Sequence, residues 1–364
     1  MKIIVPFLCL CLLVACTPSG NETQKQEEYY TMDDFAKVGK ADVHVHIRTE
    51  RDAFVEQARK DNFKLLNIVV DHSAGIEDVK QQFQWVNYQA RTHPDDIASI
   101  TAFSVKEWDD PNWARQSMDW LDSCFEAGAI GIKVWKNVGM VQRDTAGNLV
   151  MVDDPKFDTI FQVLTKRKIP VMGHLGEPKN CWLPVEEMTT NNDKSYFTNN
   201  PQYHMFRHPE MPSYEEQIAA RDRMLEKNPQ MIFVGAHMGS LEWSVDELAK
   251  RLDKFPNMAV DLAARMGQVF YQTRENREKV RDFFIKYQDR LLYATDMGDS
   301  GNGDATAMQE NMHETWLRDW QYLVTADTMN SDLIEGEFQG LQLPKEVVDK
   351  IYLKNAQQWF GVFQ

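Results

Sequence analysis

The chain has 364 residues, with 40 Lys and Arg against 55 Asp and Glu, for a formal net charge of −15. That length suffices for one large domain with a sizeable core. The acidic balance argues against a nucleic-acid backbone as partner, since such binding needs clustered positive charge.

The first sixteen residues stand apart. Lys2 precedes an apolar run from Ile3 to Leu13, and Leu13-Val14-Ala15-Cys16 follows. The run is too short for a spanning helix and ends in small residues before a cysteine. It resembles a bacterial lipoprotein signal, which implies cleavage before Cys16, lipidation there, and a lipid-anchored protein of the periplasm or outer membrane. Thr17 is not the aspartate that holds many lipoproteins at the inner membrane, so the outer membrane is preferred. Residues 17–39 are expected to be a flexible tether, and residues 40–364 a single domain.

From residue 40 onward, strand-length apolar runs alternate with amphipathic helix-length segments. The expected strands are 41–46, 65–70, 97–103, 129–135, 169–174, 231–237, 258–262 and 291–296, each followed by a helix candidate. Such alternation implies parallel pairing, and eight units suggest an α/β fold closed as a (β/α)8 TIM barrel. Asp110-Pro111 and Asp154-Pro155 mark helix starts, and Ser213 to Glu216 and Ser244 to Glu247 fit the capping box. Two long connections, 175–212 and 297–311, follow strands and so belong to the face where barrel active sites are built. Residues 343–360 are expected to form a closing helix. Cys124, late in a helix pattern, and Cys181, in a loop, fall near opposite ends of such a barrel, so no disulfide is expected.

The chemistry gathers at strand ends. Ala41-Asp42-Val43-His44-Val45-His46 alternates with period two, which puts Asp42, His44 and His46 on one face. Two imidazoles two apart on a strand can converge on one metal ion. Strand four carries Lys133, strand five ends at His174, strand six at His237 and strand eight at Asp296. In a parallel barrel the carboxyl ends of all strands face one mouth, and a metal site there is expected.

These positions resemble the amidohydrolase superfamily. Gly-Ile-Lys-Val-Trp-Lys (131–136), Gly-His-Leu-Gly-Glu-Pro (173–178), Gly-Ala-His-Met-Gly-Ser (235–240), Tyr-Ala-Thr-Asp (293–296) and Lys354-Asn355-Ala356 are similar to its amidohydrolase-related branch. That branch includes aminocarboxymuconate-semialdehyde decarboxylase and several hydrolases and lactonases. The resemblance runs from about residue 40 to the end. It implies that His44, His46, His174 and Asp296 bind one divalent ion, zinc or alternatively manganese, and that Asp296 and His237 are catalytic. Asp296 would take a proton from the attacking water, and His237 would hold the substrate oxygen. Two ions are implied instead if Lys133 is carboxylated. Asp42 is expected to orient an imidazole.

Basic residues near the mouth, Arg48, Lys136, Lys179 and Arg207, suggest a small anionic substrate. Arg48, Glu177, Trp182 and Arg207 are the candidate substrate contacts, with Tyr203 and Tyr214 beside them. The expected activity is metal-dependent hydrolysis of an amide, ester or lactone. Non-oxidative decarboxylation on the same site is the alternative, and ligand capture without turnover a further one.

Overall fold

The computed structural model describes Met1 and residues 28–364. The leader, Cys16 and the segment up to residue 27 lie outside the described residues. Eight parallel strands follow one another: β1 Lys40–Ile47, β2 Phe63–Ile68, β3 Ile97–Ala102, β4 Ile132–Val134, β5 Val171–Gly173, β6 Phe233–Gly235, β7 Met258–Asp261 and β8 Leu291–Leu292. A further short strand, β9 Gly298–Asp299, pairs with the end of β1, giving the order β8-β7-β6-β5-β4-β3-β2-β1-β9.

The sheet closes on itself. Val43 N donates to Tyr293 O at 3.1 Å, Asp296 N to His44 O at 2.9 Å and His46 N to Met297 O at 2.9 Å. β8 and β9 are therefore two pieces of one eighth strand, and the expected 291–296 run is interrupted. The interruption covers residues 293–297 and includes Asp296, whose φ of +69° leaves the extended region. The result is a (β/α)8 barrel, with helices such as Ala53–Lys60, Ile76–Thr92 and Val245–Lys254 outside.

Two apolar layers fill it. The lumen holds Val43, Leu66, Ile68, Met172, Val234 and Leu292, and it is plugged at the amino end by Trp359 and Phe360. A larger layer lies between sheet and helices and includes Val45, Leu65, Phe54, Ile160 and Trp316. Val43 and Val45 thus lie on opposite sides of the wall. A register shift between Asp42 and Val45 against β2 is the cause. This bulge overturns the expectation that Asp42, His44 and His46 share a face, because one extra residue flips the phase of everything after it. Asp42 turns outward to the Trp316 indole at 3.1 Å, and its other oxygen accepts from His44 N at 3.2 Å across the bulge.

The expected tether is shorter than 17–39 at its described end. Phe35 is buried, Trp320 Nε1 donates to Thr31 O at 3.1 Å, and Tyr30 OH donates to Asp349 at 2.8 Å. Tyr29, Tyr30 and Phe35 supply the apolar surface that docks residues 28–39 onto the domain.

The capping signals hold in part: Ser213 forms the full capping box, Ser244 only its accepting half, Asp154 caps a 3-10 turn with Pro155 at its start, and the helix after Asp110-Pro111 begins at Trp113 with Asn112 before it. Ser213 Oγ accepts from Glu216 N at 3.2 Å while Glu216 accepts from Ser213 N at 2.7 Å, and Ser244 Oγ accepts from Glu247 N at 3.3 Å. The closing helix runs from Lys345 to Phe360 with a π turn at Lys350–Lys354. The 175–212 connection carries a helix, Asn191–Asn199, and its own small core of Cys181, Met188, Phe197 and Met205. The 297–311 connection is shorter than expected, since β9 occupies its start and a helix begins at Ala305. Arg51 fastens it, with Nε and Nη2 on the two Asp299 oxygens at 2.7 and 2.6 Å. Cys124 and Cys181 are free and buried. Burial pushes the Cys124 thiol up to about 12 and the Cys181 thiol higher still, so neither is a nucleophile.

Candidate metal centre

After the bulge, His44 and His46 point into the lumen at the carboxyl end. Their hydrogen bonds fix which nitrogen is free. His44 Nδ1–H donates to Asp261 Oδ2 at 2.9 Å, and His46 Nδ1–H donates to Ile68 O at 3.0 Å. Each ring therefore turns an Nε2 lone pair toward Asp296 Oδ1, at 3.3 Å from His44 and 3.0 Å from His46. Two lone pairs and a carboxylate oxygen, all within 4.8 Å of one another, are a donor set that calls for a cation. Lys133 Nζ supplies one positive group, 3.0 Å from His44 Nε2 and 3.5 Å from Met172 Sδ.

Two further histidines complete the mouth. His174 follows β5, its backbone N–H held by Val134 O at 2.9 Å. Its Nε2 is buried without a hydrogen-bond partner and lies 3.8 Å from Glu177 Oε2. His237 meets it edge-on, ring centroids 4.1 Å apart, and lies 5.0 Å from the His44 ring. His237 Nδ1–H donates to Ala263 O at 2.8 Å, so its Nε2 is an acceptor too.

The backbone that aims His237 is strained. His237, Met238, Gly239 and Ser240 have φ of 58°, 57°, 62° and 55°, one left-handed turn. Each non-glycine residue in that conformation costs about 1–2 kcal/mol. Surrounding groups hold the turn: Asp261 Oδ1 accepts from His237 N at 2.7 Å, Tyr214 OH bonds Ser240 O, and Arg221 bonds Gly239 O.

Burial governs the charges. Desolvation lowers His46 to about 4 and takes His174 and His237 well below the usual imidazole range. It also lowers Lys133 to about 8. Burial alone would raise Asp296, yet His44, His46 and His237 outweigh it and hold the carboxyl well below the ordinary value. His46, His174 and His237 are thus held neutral beside an ionised Asp296, the protonation state that metal binding needs.

The structure brings together His44, His46, Asp296, Lys133, His237 and His174. Other expected residues fare differently. Arg48 sits at the rim, 3.3 Å from His72 Nε2, with its own Nε buried and unpartnered. Glu177 is buried in an ion pair with Lys136. Trp182 is tied into the 175–212 connection, its Nε1 on Pro212 O at 3.1 Å and its ring against Tyr214. Arg207 is exposed and not drawn into the site. Asp42 does not touch an imidazole. Burial raises it to about 6 while Thr295 and Trp316 bind its oxygens. The imidazole's partner is Asp261 at the end of β7. A strand ending on aspartate was the available signal, the same one that marks Asp296. Glu242, in the connection after β6, and Arg265, in the one after β7, are buried and were not among the expected residues.

A family model described as amidohydrolase matches residues 108–362. Curated protein sequences give no significant match. Among solved structures, 2,6-dihydroxybenzoate decarboxylase in complex with 2,6-dihydroxybenzoate is similar at 13% identity and TM-score 0.54, covering 89% of this chain and 98% of that one. The Rhizobium enzyme of the same name is similar at 13% identity and TM-score 0.51, with the same coverage of 89% and 98%. A TIM-barrel protein of Bordetella bronchiseptica is similar at 12% identity and TM-score 0.50, covering 89% of this chain and 99% of that one. At these identities the likeness concerns the fold.

Proposed function

The chain belongs to the amidohydrolase family, and from that premise we propose that it is a metal-dependent hydrolase of an amide, ester or lactone bond in a small anionic molecule. The observation that carries this reading is the convergence of His44 Nε2, His46 Nε2 and Asp296 Oδ1 within 4.8 Å. Those residues, with His174 beside them, would hold one divalent ion, zinc or manganese. Such an ion lowers the pKa of water and polarises the bond under attack.

The residues do the rest. Asp261 locks the His44 tautomer. Asp296 directs one oxygen at the imidazoles, leaving the other to take the proton of the attacking water and return it to the leaving nitrogen or oxygen. His237 differs from the role expected of it. With Nδ1–H committed to Ala263 O, its Nε2 accepts rather than donates. It therefore orients the water's hydrogen instead of holding the substrate oxygen. Charge developing on that oxygen faces Lys133, which we take as an unmodified amine beside a single ion. Burial in the barrel excludes bulk water and strengthens each of these interactions.

Decarboxylation is the second reading, supported by the two dihydroxybenzoate decarboxylase structures on the same barrel. Incubating the zinc- or manganese-loaded protein with carboxylated esters, amides, lactones and benzoic acids separates the two by mass. Gain of water supports hydrolysis, and loss of carbon dioxide supports the lyase. Absence of bound metal by inductively coupled plasma mass spectrometry would overturn both. The leader belongs to the same reading: Cys16 anchors the enzyme by lipid at the outer membrane. Metabolic labelling with palmitate, absent from Cys16→Ser, tests it.

A further inference from the structure

The connections that follow β4 and β5 meet over a cavity of about 180 Å³. Trp135, Met140 and Val141 line it from the first connection, and Tyr203, Met205 and Met211 from the second. The packing around it forms the cavity in advance of any ligand. Met140 and Met211 lie against the small core of Cys181, Phe197 and Met205, which joins the two connections. Beside Met140, Gly139 N donates to Val150 O at 2.7 Å and Gly139 O accepts from Gln217 Nε2 at 2.6 Å. One wall of the cavity is also a wall of the reaction centre. The Trp135 ring meets the His174 ring edge-on, centroids 6.4 Å apart, and Glu177, which lines the cavity, has its Oε2 3.8 Å from His174 Nε2.

The lining decides what fits. Lys136 is paired with Glu177, so together they offer a ligand no net charge. Lys136 Nζ also lies over two rings, 5.4 Å from the Trp135 centroid and 6.0 Å from that of Tyr203. It covers on each ring a face that an aromatic ligand could stack on. The three thioethers are flexible and adapt to an irregular apolar shape. A dry apolar cavity of about 150 Å³ takes a six-carbon molecule. Apolar surface continues outward from the opening. Beyond Met1, the large apolar side chains exposed among the described residues are Tyr88, Val141, Tyr196, Tyr203, Phe206 and Trp243. Four of these, Val141, Tyr196, Tyr203 and Phe206, belong to the two connections, and Tyr196 stacks on Tyr203 with centroids 6.4 Å apart. Scattered exposed apolar residues are ordinary, whereas a gathering beside a pocket marks a binding surface.

We propose that this cavity seats the alkyl chain of an acyl group, about six to eight carbons long, with the carbonyl end toward His174 and the methyl end toward Val141 and Tyr203. This rests on the hydrolase reading for the carbonyl at the metal centre, and it assigns the substrate class: medium-chain acyl compounds rather than aromatic ones. The methionines set the chain-length preference, and the Lys136–Glu177 pair keeps charged groups out of the cavity.

Titration calorimetry with N-acetyl-, N-butanoyl-, N-hexanoyl-, N-octanoyl- and N-phenylacetylglycine, on metal-free and zinc-loaded protein, reads the cavity without requiring turnover. In the wild type the Kd is expected to fall by about threefold or more for each two carbons added, up to octanoyl. Phenylacetylglycine, with as many acyl carbons as octanoylglycine, is expected to bind about threefold more weakly or worse. Met140→Trp fills the cavity and Val141→Asp puts a charge at its rim. Each should flatten the chain-length series to within about twofold and leave zinc stoichiometry unchanged. Val141 is exposed, so its variant carries the test should Met140→Trp not fold. The proposal is overturned if no acylglycine binds either form, or if Kd does not change with chain length. It is equally overturned if phenylacetylglycine binds as tightly as octanoylglycine, or if the dependence survives in the folded variants. The expected series without cleavage of any acyl amide, ester or lactone would instead remove the hydrolase reading and leave the cavity's ligand standing.

Discussion

The two flanks of the mouth are built on different terms. On the β1–β8 flank, the polar groups around His44 and His46 have their partners, and Arg48 Nε is the exception. Asp261 takes His44, Ile68 O takes His46, and Asp42 takes Thr295 and Trp316. On the β5–β7 flank, His174 Nε2, Glu242 Oε2 and Arg265 Nε are buried with none. A satisfied network holds ligand atoms in one geometry before anything binds. Unsatisfied buried donors and acceptors are costly until something arrives. The difference separates a preorganised reacting centre from a surface that is completed by its ligand.

Substitutions can break that contrast. Asp296→Asn removes the proton acceptor at the preorganised flank, and turnover should fall by about 10²–10⁴-fold in steady-state assays. Asp261→Asn should leave the barrel folded by circular dichroism but weaken metal binding about 10–100-fold, read by competition with a chelating dye. Gly239→Ala adds a Cβ at φ +62°, 3.1 Å from Met258 Cε and 3.3 Å from Arg221 Nη1. Urea unfolding should show a loss of about 1–2 kcal/mol.

The smallest effect is one of pH. Burial lifts Glu242 to about 7 from an unfolded value near 4.5. The folded state then holds a proton that the unfolded state has released, so this group's stabilisation is complete below pH 4.5 and is lost as pH rises through about 7. Glu242→Gln cannot titrate. Its melting temperature should therefore gain on the wild type as pH climbs across that window, and a constant difference would show that Glu242 is not perturbed.

Much of this was legible in the sequence. Strand existence followed from apolar runs and turn residues, and the collection of His44, His46, His174, His237 and Asp296 at one end followed from parallel closure. What escaped was what neighbours decide. The bulge in β1 depends on pairing with β2, and without it the period-two rule puts Asp42 on the wrong side. Asp261 and His44 are 217 positions apart, and nothing local in Ala-Val-Asp shows that its carboxylate reaches across the lumen. The left-handed turn at His237 contains only one glycine among its four residues, so the sequence gives little warning of it. Arg207 and Arg265 look alike as letters. Only the fold shows that one is exposed and the other buried.

Barrel closure has a consequence for how the chain comes apart. His44 and His46 lie on the first strand and Asp296 on the last, and the amides of Val43, His46 and Asp296 are the bonds that join them. The ligands therefore straddle the seam of the ring, and their contact closes a loop of some 250 residues. An ion held there would act as a clasp, favouring the closed ring by RT ln(1 + [M]/Kd). Chelation would loosen that seam before any other part of the wall, and hydrogen exchange at those three amides would quicken first.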